Sequence, residues 1–312
     1  MLAGFRFLLP LLAVFAAAGP VRAQVTEYTR ETGAFSRVEV SGAFEVELTG
    51  GSGYSVTVSV DEMLMNFVQA YVDGEVLKIY IDEKKLTPEI RRHYRSRNAE
   101  DPVLRAEVSA PAAVRSLSLG GKARLGVVNG NVFAADSARF FLADDARMEN
   151  VTLAGSEAVQ LTLDRRSSAD ISAECESFIL VAGGGSSAQV RVESGEAELS
   201  MSANSSCVYN GNTDRIKVSA RGTSRSIFNG ASSSAEYRMS GSADVNAENF
   251  KVVDAKVVMS GFCSLTESAT GSLFLDMSNG ARLVYKNSPV FFISSIRNSS
   301  VARYYDGAEG LE

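Results

Sequence analysis

Histidine is the side chain that most often moves protons near neutral pH, and this chain of 312 residues has one, His93. A Ser-His-Asp arrangement would therefore have to use His93, which lies in a stretch crowded with charged side chains. No serine has the Gly-x-Ser-x-Gly surroundings of a nucleophile elbow. The sequence argues against a serine hydrolase, and it predicts no catalytic residue.

Pairs of carboxylates are a second source of chemistry, because two acids can act as general acid and general base. Asp144 is adjacent to Asp145, and Asp164 lies near Asp170. The repeat described below predicts a β-helix, and some polysaccharide lyases and hydrolases with that fold use carboxylates on a long face. A carbohydrate-active enzyme therefore stays an alternative. We favour the interpretation that these acids occupy corners and surfaces. The stretches expected at the surface are mainly Ser, Ala and Asn, so we expect no aromatic-lined sugar groove.

Metal and cofactor sites have no clear signature. One histidine and three scattered cysteines give no ligand spacing for zinc. The run Gly183-Gly184-Gly185 could bind phosphate, but no Lys-Ser or Lys-Thr follows it. We interpret this run as a corner of a repeat, and we predict no cofactor and no metal.

The elements that position these residues come from an internal repeat. A mostly apolar anchor residue recurs at intervals of 18 to 23 residues, and a second apolar residue usually precedes it by two, which is strand spacing. A turn rich in Gly, Ser and Asn follows, with a small residue four positions after the anchor in several repeats. The anchors are Leu119, Leu142, Leu163, Val181, Met201, Ala220, Met239, Met259, Met277 and Ile296.

A period near 20 sustained over ten units predicts a solenoid, because one unit cannot bury its apolar row alone. The repeats lack the apolar stripe of a helix. The sequence thus predicts an all-β fold, a right-handed parallel β-helix of about ten turns with an N-terminal β-rich segment. The alternative is an antiparallel β-sandwich. The main test of the solenoid is that Met239, Met259 and Met277 stack as neighbours.

The repeat also places the three cysteines. Cys207 and Cys263 fall three turns apart, roughly 14 Å at about 4.8 Å per turn, beyond the about 7 Å limit of a disulfide. Cys175 lies two turns below Cys207. We predict three buried, unpaired thiols that act as small core residues.

The chain divides into four predicted segments: a signal peptide (residues 1–23), an N-terminal β-rich part (24–110), the repeat array (111–304) and a tail (305–312). The first segment has Arg6, an apolar core and a Val21-Arg22-Ala23 cleavage motif. No later segment is long and apolar enough to span a membrane. Removing Arg6 and Arg22 leaves 29 basic against 37 acidic residues, a net charge of −8 that argues against nucleic acid as a partner.

The most charge-dense stretch runs from Asp82 to Pro102 and surrounds His93 and Tyr94. It could be a basic loop that binds an anionic glycan or a partner protein, but a solvated surface loop is the favoured interpretation. Its basic residues are Lys84, Lys85, Arg91, Arg92, Arg95 and Arg97.

Three short motifs near the start of the chain are Phe35-Ser36-Arg37-Val38, Ser41-Gly42-Ala43-Phe44 and Asp73-Gly74-Glu75-Val76-Leu77. They resemble the opening of the head GIN domain family, whose members are described as auto-transporter adhesins and are common among exported bacterial proteins. The corners Ser240-Gly241 and Ser260-Gly261, and the closing run from Val284 to Pro289, are similar to the later repeats of the family. The resemblance covers roughly residues 33–304 and implies a β-helical fold outside the cytoplasm.

The favoured function is that of an exported, non-enzymatic β-helical protein, an adhesin or cell-envelope binding module that presents an extended surface. The alternatives are a carbohydrate-active lyase or hydrolase and a structural scaffold in an envelope complex. The expected partner is a glycan or an envelope protein of unknown identity, in the periplasm, on the cell surface or in the medium. Exposed strand edges at the ends of the coil also make a homo-oligomer possible.

Overall fold

The computed structural model describes residues 25–95 and 102–304, and most of these residues lie in the strands of one continuous twenty-stranded sheet. The predicted signal peptide and tail lie outside the described residues, as do residues 96–101 of the charged stretch. No helix within the described ranges has the length and apolar character needed to cross a bilayer.

The N-terminal strands do not stack in the order of the chain. They are β1 (Val25–Glu31), β2 (Arg37–Gly42), β3 (Glu45–Gly50), β4 (Ser55–Asp61), β5 (Val68–Asp73), β6 (Val76–Ile81), β7 (Leu104–Ala110), β8 (Ser116–Gly121), β9 (Arg124–Asn129) and β10 (Ser137–Leu142). Strand β2 lies in parallel between β6 and β8, and β3 lies in parallel between β7 and β9. This pairing crosses residue 110, so the N-terminal strands and the repeat array share one sheet.

The N-terminal end of the coil is closed by antiparallel strands and a short helix. Strand β5 pairs antiparallel with β6, β4 with β7, and β1 with β4, while a 3₁₀ turn (Glu62–Phe67) links β4 to β5. The helix α1 (Pro88–Arg95) lies against this end, where Ile90 and Tyr94 pack on the core. The Tyr94 hydroxyl donates a hydrogen bond of 3.0 Å to Oδ2 of the buried Asp61. A closed end of this kind protects strand edges from unwanted pairing.

Seven long strands form the middle of the coil, and each pairs in parallel with the next along the chain. Buried side chains alternate along each half of a strand and change phase near its middle, between Val192 and Ala197 in the third of them. Each long strand therefore contributes two faces to the coil. The strands are β11 (Arg147–Leu163), β12 (Ser168–Ala182), β13 (Ser187–Met201), β14 (Ser206–Ala220), β15 (Arg225–Gly241), β16 (Asp244–Gly261) and β17 (Ser264–Ser278).

The anchor positions from Leu119 to Met277 form one buried ladder, which confirms the solenoid. Met239 pairs with Met259, and Met259 pairs with Met277. One anchor was wrong by a residue: Ala182, not Val181, pairs with Leu163 and Met201. Val181 is 40% exposed and Ala182 is 1% exposed. The fold is therefore a parallel β-solenoid of about ten turns, and its right-handed sense stays a prediction from the general preference of parallel crossovers.

The corner after each anchor has a fixed backbone shape. The residue two positions after the anchor has a positive φ in every repeat, whether or not it is glycine. The residue four positions after it is small and buried from Ala123 to Ala281, as several repeats predicted. The positive-φ residues of the array are Gly121, Asp144, Arg165, Gly184, Ala203, Gly222, Gly241, Gly261, Asn279 and Asn298.

This corner provides a test by substitution. Ala203 is an exposed alanine with φ of 54°, a left-handed conformation that costs an L-residue about 1–2 kcal/mol. Ala203→Gly should therefore stabilise the protein by about 0.5–1 kcal/mol, after subtracting the greater unfolded-state entropy of glycine. Urea unfolding at neutral pH measures the difference. The control is Ala154→Gly, at an exposed site in β11 without a positive φ, which should destabilise the protein. A loss of stability in Ala203→Gly would show that the backbone at Ala203 is not strained.

The last turn differs from the others. It contains β18 (Arg282–Tyr285), β19 (Val290–Arg297) and β20 (Ser300–Arg303). Strand β19 pairs with β17, and β20 pairs with β18. Ile293 and Ile296 continue the inward rows, but they are 59% and 37% exposed, so no strand within residues 25–95 and 102–304 covers the core at this end.

Candidate binding groove

The acids that could have served as catalytic pairs lie at or next to the corners, where each forms an ion pair with an arginine. Arg166 donates two hydrogen bonds to Asp145, of 2.7 and 2.8 Å. Arg166 also lowers the pKa of this carboxyl, so Asp145 is ionised at neutral pH and poorly suited to donate a proton. The pairs Asp144–Arg165, Asp145–Arg166 and Asp170–Arg191 join adjacent turns, and Asp164 pairs at 3.9 Å with Arg165, its neighbour in the chain.

The glycine run also belongs to a corner. Gly183 and Gly185 donate their backbone N–H groups to carbonyls of the preceding turn, at Leu163 and Arg165. These two donors are therefore not available to a phosphate. Across residues 25–95 and 102–304, no group of three or more His, Cys, Asp or Glu side chains is arranged to hold a metal ion.

The three cysteines are free thiols, as predicted. Cys207 and Cys263 are buried, but Cys175 is only half-buried, which corrects the expectation that all three are buried. Burial raises the pKa of Cys175 to about 11 and that of Cys207 to about 12. Thiols held so far from ionisation at neutral pH are weak nucleophiles.

The charged stretch after β6 is partly ordered on the end of the coil. Lys85 forms an ion pair with Asp82 at 3.1 Å, and Arg91 donates a hydrogen bond of 2.8 Å to the Glu83 carbonyl. His93 is exposed on α1 and packs edge-on against Tyr94, with ring centroids 4.9 Å apart. The described part of this stretch therefore packs against the N-terminal end of the coil.

The beginning of this stretch forms one wall of a groove of about 810 Å³ on the outer face of the coil. Asp82, Glu83 and Lys84 line the wall. The floor is a row of outward side chains in register on four adjacent strands. This row consists of Lys78, Glu39, Ser118 and Phe141, and the neighbouring row contributes Tyr80, Ser41, Gly120 and Ala143.

The groove combines apolar surface with charged groups. Phe141 is 44% exposed, and Tyr80 lies edge-on to Tyr71 with ring centroids 6.3 Å apart. Lys78 donates a hydrogen bond of 2.7 Å to Asp73, and this contact raises the pKa of the lysine. Glu39 lies beside Lys78 in register. This arrangement suits ligand binding, because a few directed polar groups surround an apolar floor.

Sequence reasoning missed this groove. We expected no aromatic-lined groove, yet Tyr80 and Phe141 line one. The two residues are far apart in the chain, and β2 and β8 separate their strands in the sheet. The sequence did contain one signal for the groove. Phe141 occupies an outward-facing position of β10, where the alternation along the strand predicts a polar side chain.

The fold is that of a β-helical repeat protein with a groove on its outer face. A family model described as "Putative auto-transporter adhesin, head GIN domain" matches residues 34–289. The chain therefore belongs to the head GIN domain family, which confirms the resemblance found in the sequence. No curated protein matches the chain.

The chain is similar to several solved structures at low sequence identity. A putative lipid-binding protein from Parabacteroides distasonis has 12% identity and a TM-score of 0.53, over 90% of this chain and 97% of that one. A putative adhesin from Parabacteroides merdae has 11% identity and a TM-score of 0.45, over 90% and 97% of the two chains. A putative adhesin from Parabacteroides distasonis has 13% identity and a TM-score of 0.46, over 90% and 98%.

Proposed function

We propose that this protein is an exported, non-enzymatic adhesin or cell-envelope binding module, and that the groove beside the charged wall is its glycan-binding site. The observation that carries the proposal is the row of Lys78, Glu39, Ser118 and Phe141, which places an aromatic ring and polar groups on one outward floor. The description of the family as adhesins supports the same role.

The groove fits a sugar better than a flat apolar ligand. Sugar rings present C–H faces that pack on aromatic side chains and hydroxyls that pair with carboxylates, ammonium groups and serine. Tyr80 and Phe141 provide the first kind of contact, and Glu39, Lys78 and Ser118 provide the second. The carboxylates of the array corners are instead bound by arginines.

The test is a glycan array with purified mature protein, followed by calorimetry on the best ligand. Phe141→Ser should weaken binding about tenfold, because it removes the exposed ring of the floor. Phe262→Ser is the matched control, since Phe262 is 81% exposed and lies outside the groove. Equal binding by wild type and Phe141→Ser would refute the site. Cleavage of an acidic polysaccharide would refute the non-enzymatic role and support the lyase or hydrolase alternative.

Export is tested separately. Expression of the full chain in a Gram-negative host should give a mature protein that begins at Gln24 and is recovered outside the cytoplasm. N-terminal sequencing of that protein identifies the cleavage site. A cytoplasmic protein that retains Met1 would contradict export and leave the groove to be judged by its own assay.

A further inference from the structure

At the C-terminal end of the coil, the strand β19 has one edge without a described partner strand. Strand β19 pairs with β17 along one edge, and no described strand pairs with its other edge. The opposite end of the coil, by contrast, is closed by the antiparallel strands β1, β4 and β5. A free edge of eight residues offers unpaired N–H and C=O groups to an added strand.

The side-chain rows of this end are unfinished as well. Leu275 and Met277 are at most 2% exposed, but their partners Ile293 and Ile296 in the next turn are 59% and 37% exposed. On the outer face, Phe292 stacks on Phe274 with ring centroids 4.7 Å apart and planes 14° from parallel. A further strand would cover the isoleucines and meet the outer face of the Phe292 ring.

The charge of the last turn indicates what kind of strand would bind. Residues 290–303 contain Arg297 and Arg303 and no Asp or Glu. Among the described residues, neither arginine takes part in an ion pair. Elsewhere on the coil, corner arginines pair with acids of the adjacent turn, as Arg166 does with Asp145.

We propose that the free edge of β19 binds an extended, acidic peptide segment of a partner protein, which pairs with it as an additional strand. Main-chain hydrogen bonds would provide the affinity, and alternate side chains would reach the isoleucine row and Arg297. A second copy of this chain fits less well, because its own residues 290–303 contain two arginines and no acid to pair with Arg297. This site is separate from the groove, so its test is independent of the proposed function.

The probe is a fluorescein-labelled octapeptide of alternating Glu and Val, measured by fluorescence anisotropy with the full mature chain. The matched Lys–Val octapeptide should bind about tenfold more weakly, because it reverses the charge. Arg297→Glu and Phe292→Ser should each weaken the Glu–Val peptide about tenfold. Arg225→Glu, an exposed arginine in the middle of the array, and Phe262→Ser are the controls and should leave binding within about twofold.

Several results would overturn the proposal. Equal binding of the two peptides, or undiminished binding by Arg297→Glu, would show that the edge does not select acidic strands. A dimer in analytical ultracentrifugation that Phe292→Ser dissociates would assign the edge to a second copy. Binding that appears only after removal of residues 305–312 would assign it to the chain's own tail.

Discussion

Raising the pH from about 5 to about 9 is expected to lower the free energy of unfolding by about 4 kcal/mol through a single side chain, that of Glu267. Glu267 lies in β17 and is 0% exposed, and neither of its carboxylate oxygens has a hydrogen-bond partner among the described residues. Burial raises its pKa from 4.5 to about 8, although the nearby Tyr237 hydroxyl opposes part of this shift.

The direction follows from which state holds the proton. Below pH 4.5 both the folded and the unfolded chain bind it, so the group does not favour either state. Between 4.5 and about 8 only the folded chain binds it, so stability falls as the pH rises. Above about 8 both states are ionised, and the folded chain retains the full penalty of a buried charge.

Glu267→Gln separates this effect from general alkaline destabilisation. The variant should match wild type near pH 4.5 and be more stable at about pH 9, by about 3–5 kcal/mol. Glu157→Gln, at an exposed glutamate of β11, should follow the wild-type profile. Urea unfolding across the pH range gives all three curves. Parallel curves for wild type and Glu267→Gln would show that this carboxyl titrates normally.

The position of Glu267 could have been noticed in the sequence. From the Leu163 repeat onwards, the residue eight positions after the anchor is otherwise apolar or aromatic, as at Ile171, Val190, Tyr209 and Phe228, and each of these four is buried. Glu267 occupies the same position after Met259. Periodicity therefore places this carboxyl in the core, but its neighbours, which set its pKa, come from other turns.

The repeat made the array predictable because each turn buries the same row at nearly the same spacing. The anchor Val181 was misplaced because it lies in a continuous apolar run from Ile179 to Ala182. In such a run, alternation between apolar and polar residues cannot show which side chains point inward. The observed steps from Leu163 to Ala182 and from Ala182 to Met201 are both 19 residues, more regular than the predicted 18 and 20.

The N-terminal third was less predictable because its stacking order departs from its chain order. Strand β2 separates β6 from β8, so residues of the groove floor that touch in space come from distant parts of the chain. The antiparallel cap depends on long-range pairing for which hydrophobic alternation gives no partner. The groove is a product of this order, which is why local motifs did not indicate it.

Gly230→Ala is expected to destabilise the protein by about 3–5 kcal/mol, through a backbone clash together with backbone strain. Gly230 lies in register with Gly211 at the bend of β15, with φ of 126°. A Cβ atom there would lie 1.9 Å from the Gly211 carbonyl oxygen. The Cβ is fixed to the Cα of residue 230, and both this Cα and the Gly211 carbonyl belong to backbone held in the ladder. Neither can move without breaking the pairing of two turns.

Two other glycines separate the clash from the strain. Gly74→Ala adds a Cβ in open space at φ of 62°, so it should cost only about 1 kcal/mol of strain. Gly53→Ala has open space and no positive φ, so its effect should stay within about 0.5 kcal/mol. Thermal and urea unfolding should therefore show that Gly230→Ala is much less stable than Gly74→Ala. Gly74→Ala should in turn be less stable than Gly53→Ala. If Gly230→Ala instead matched Gly74→Ala, the turns would not be as closely stacked at this bend as the register of β14 and β15 requires.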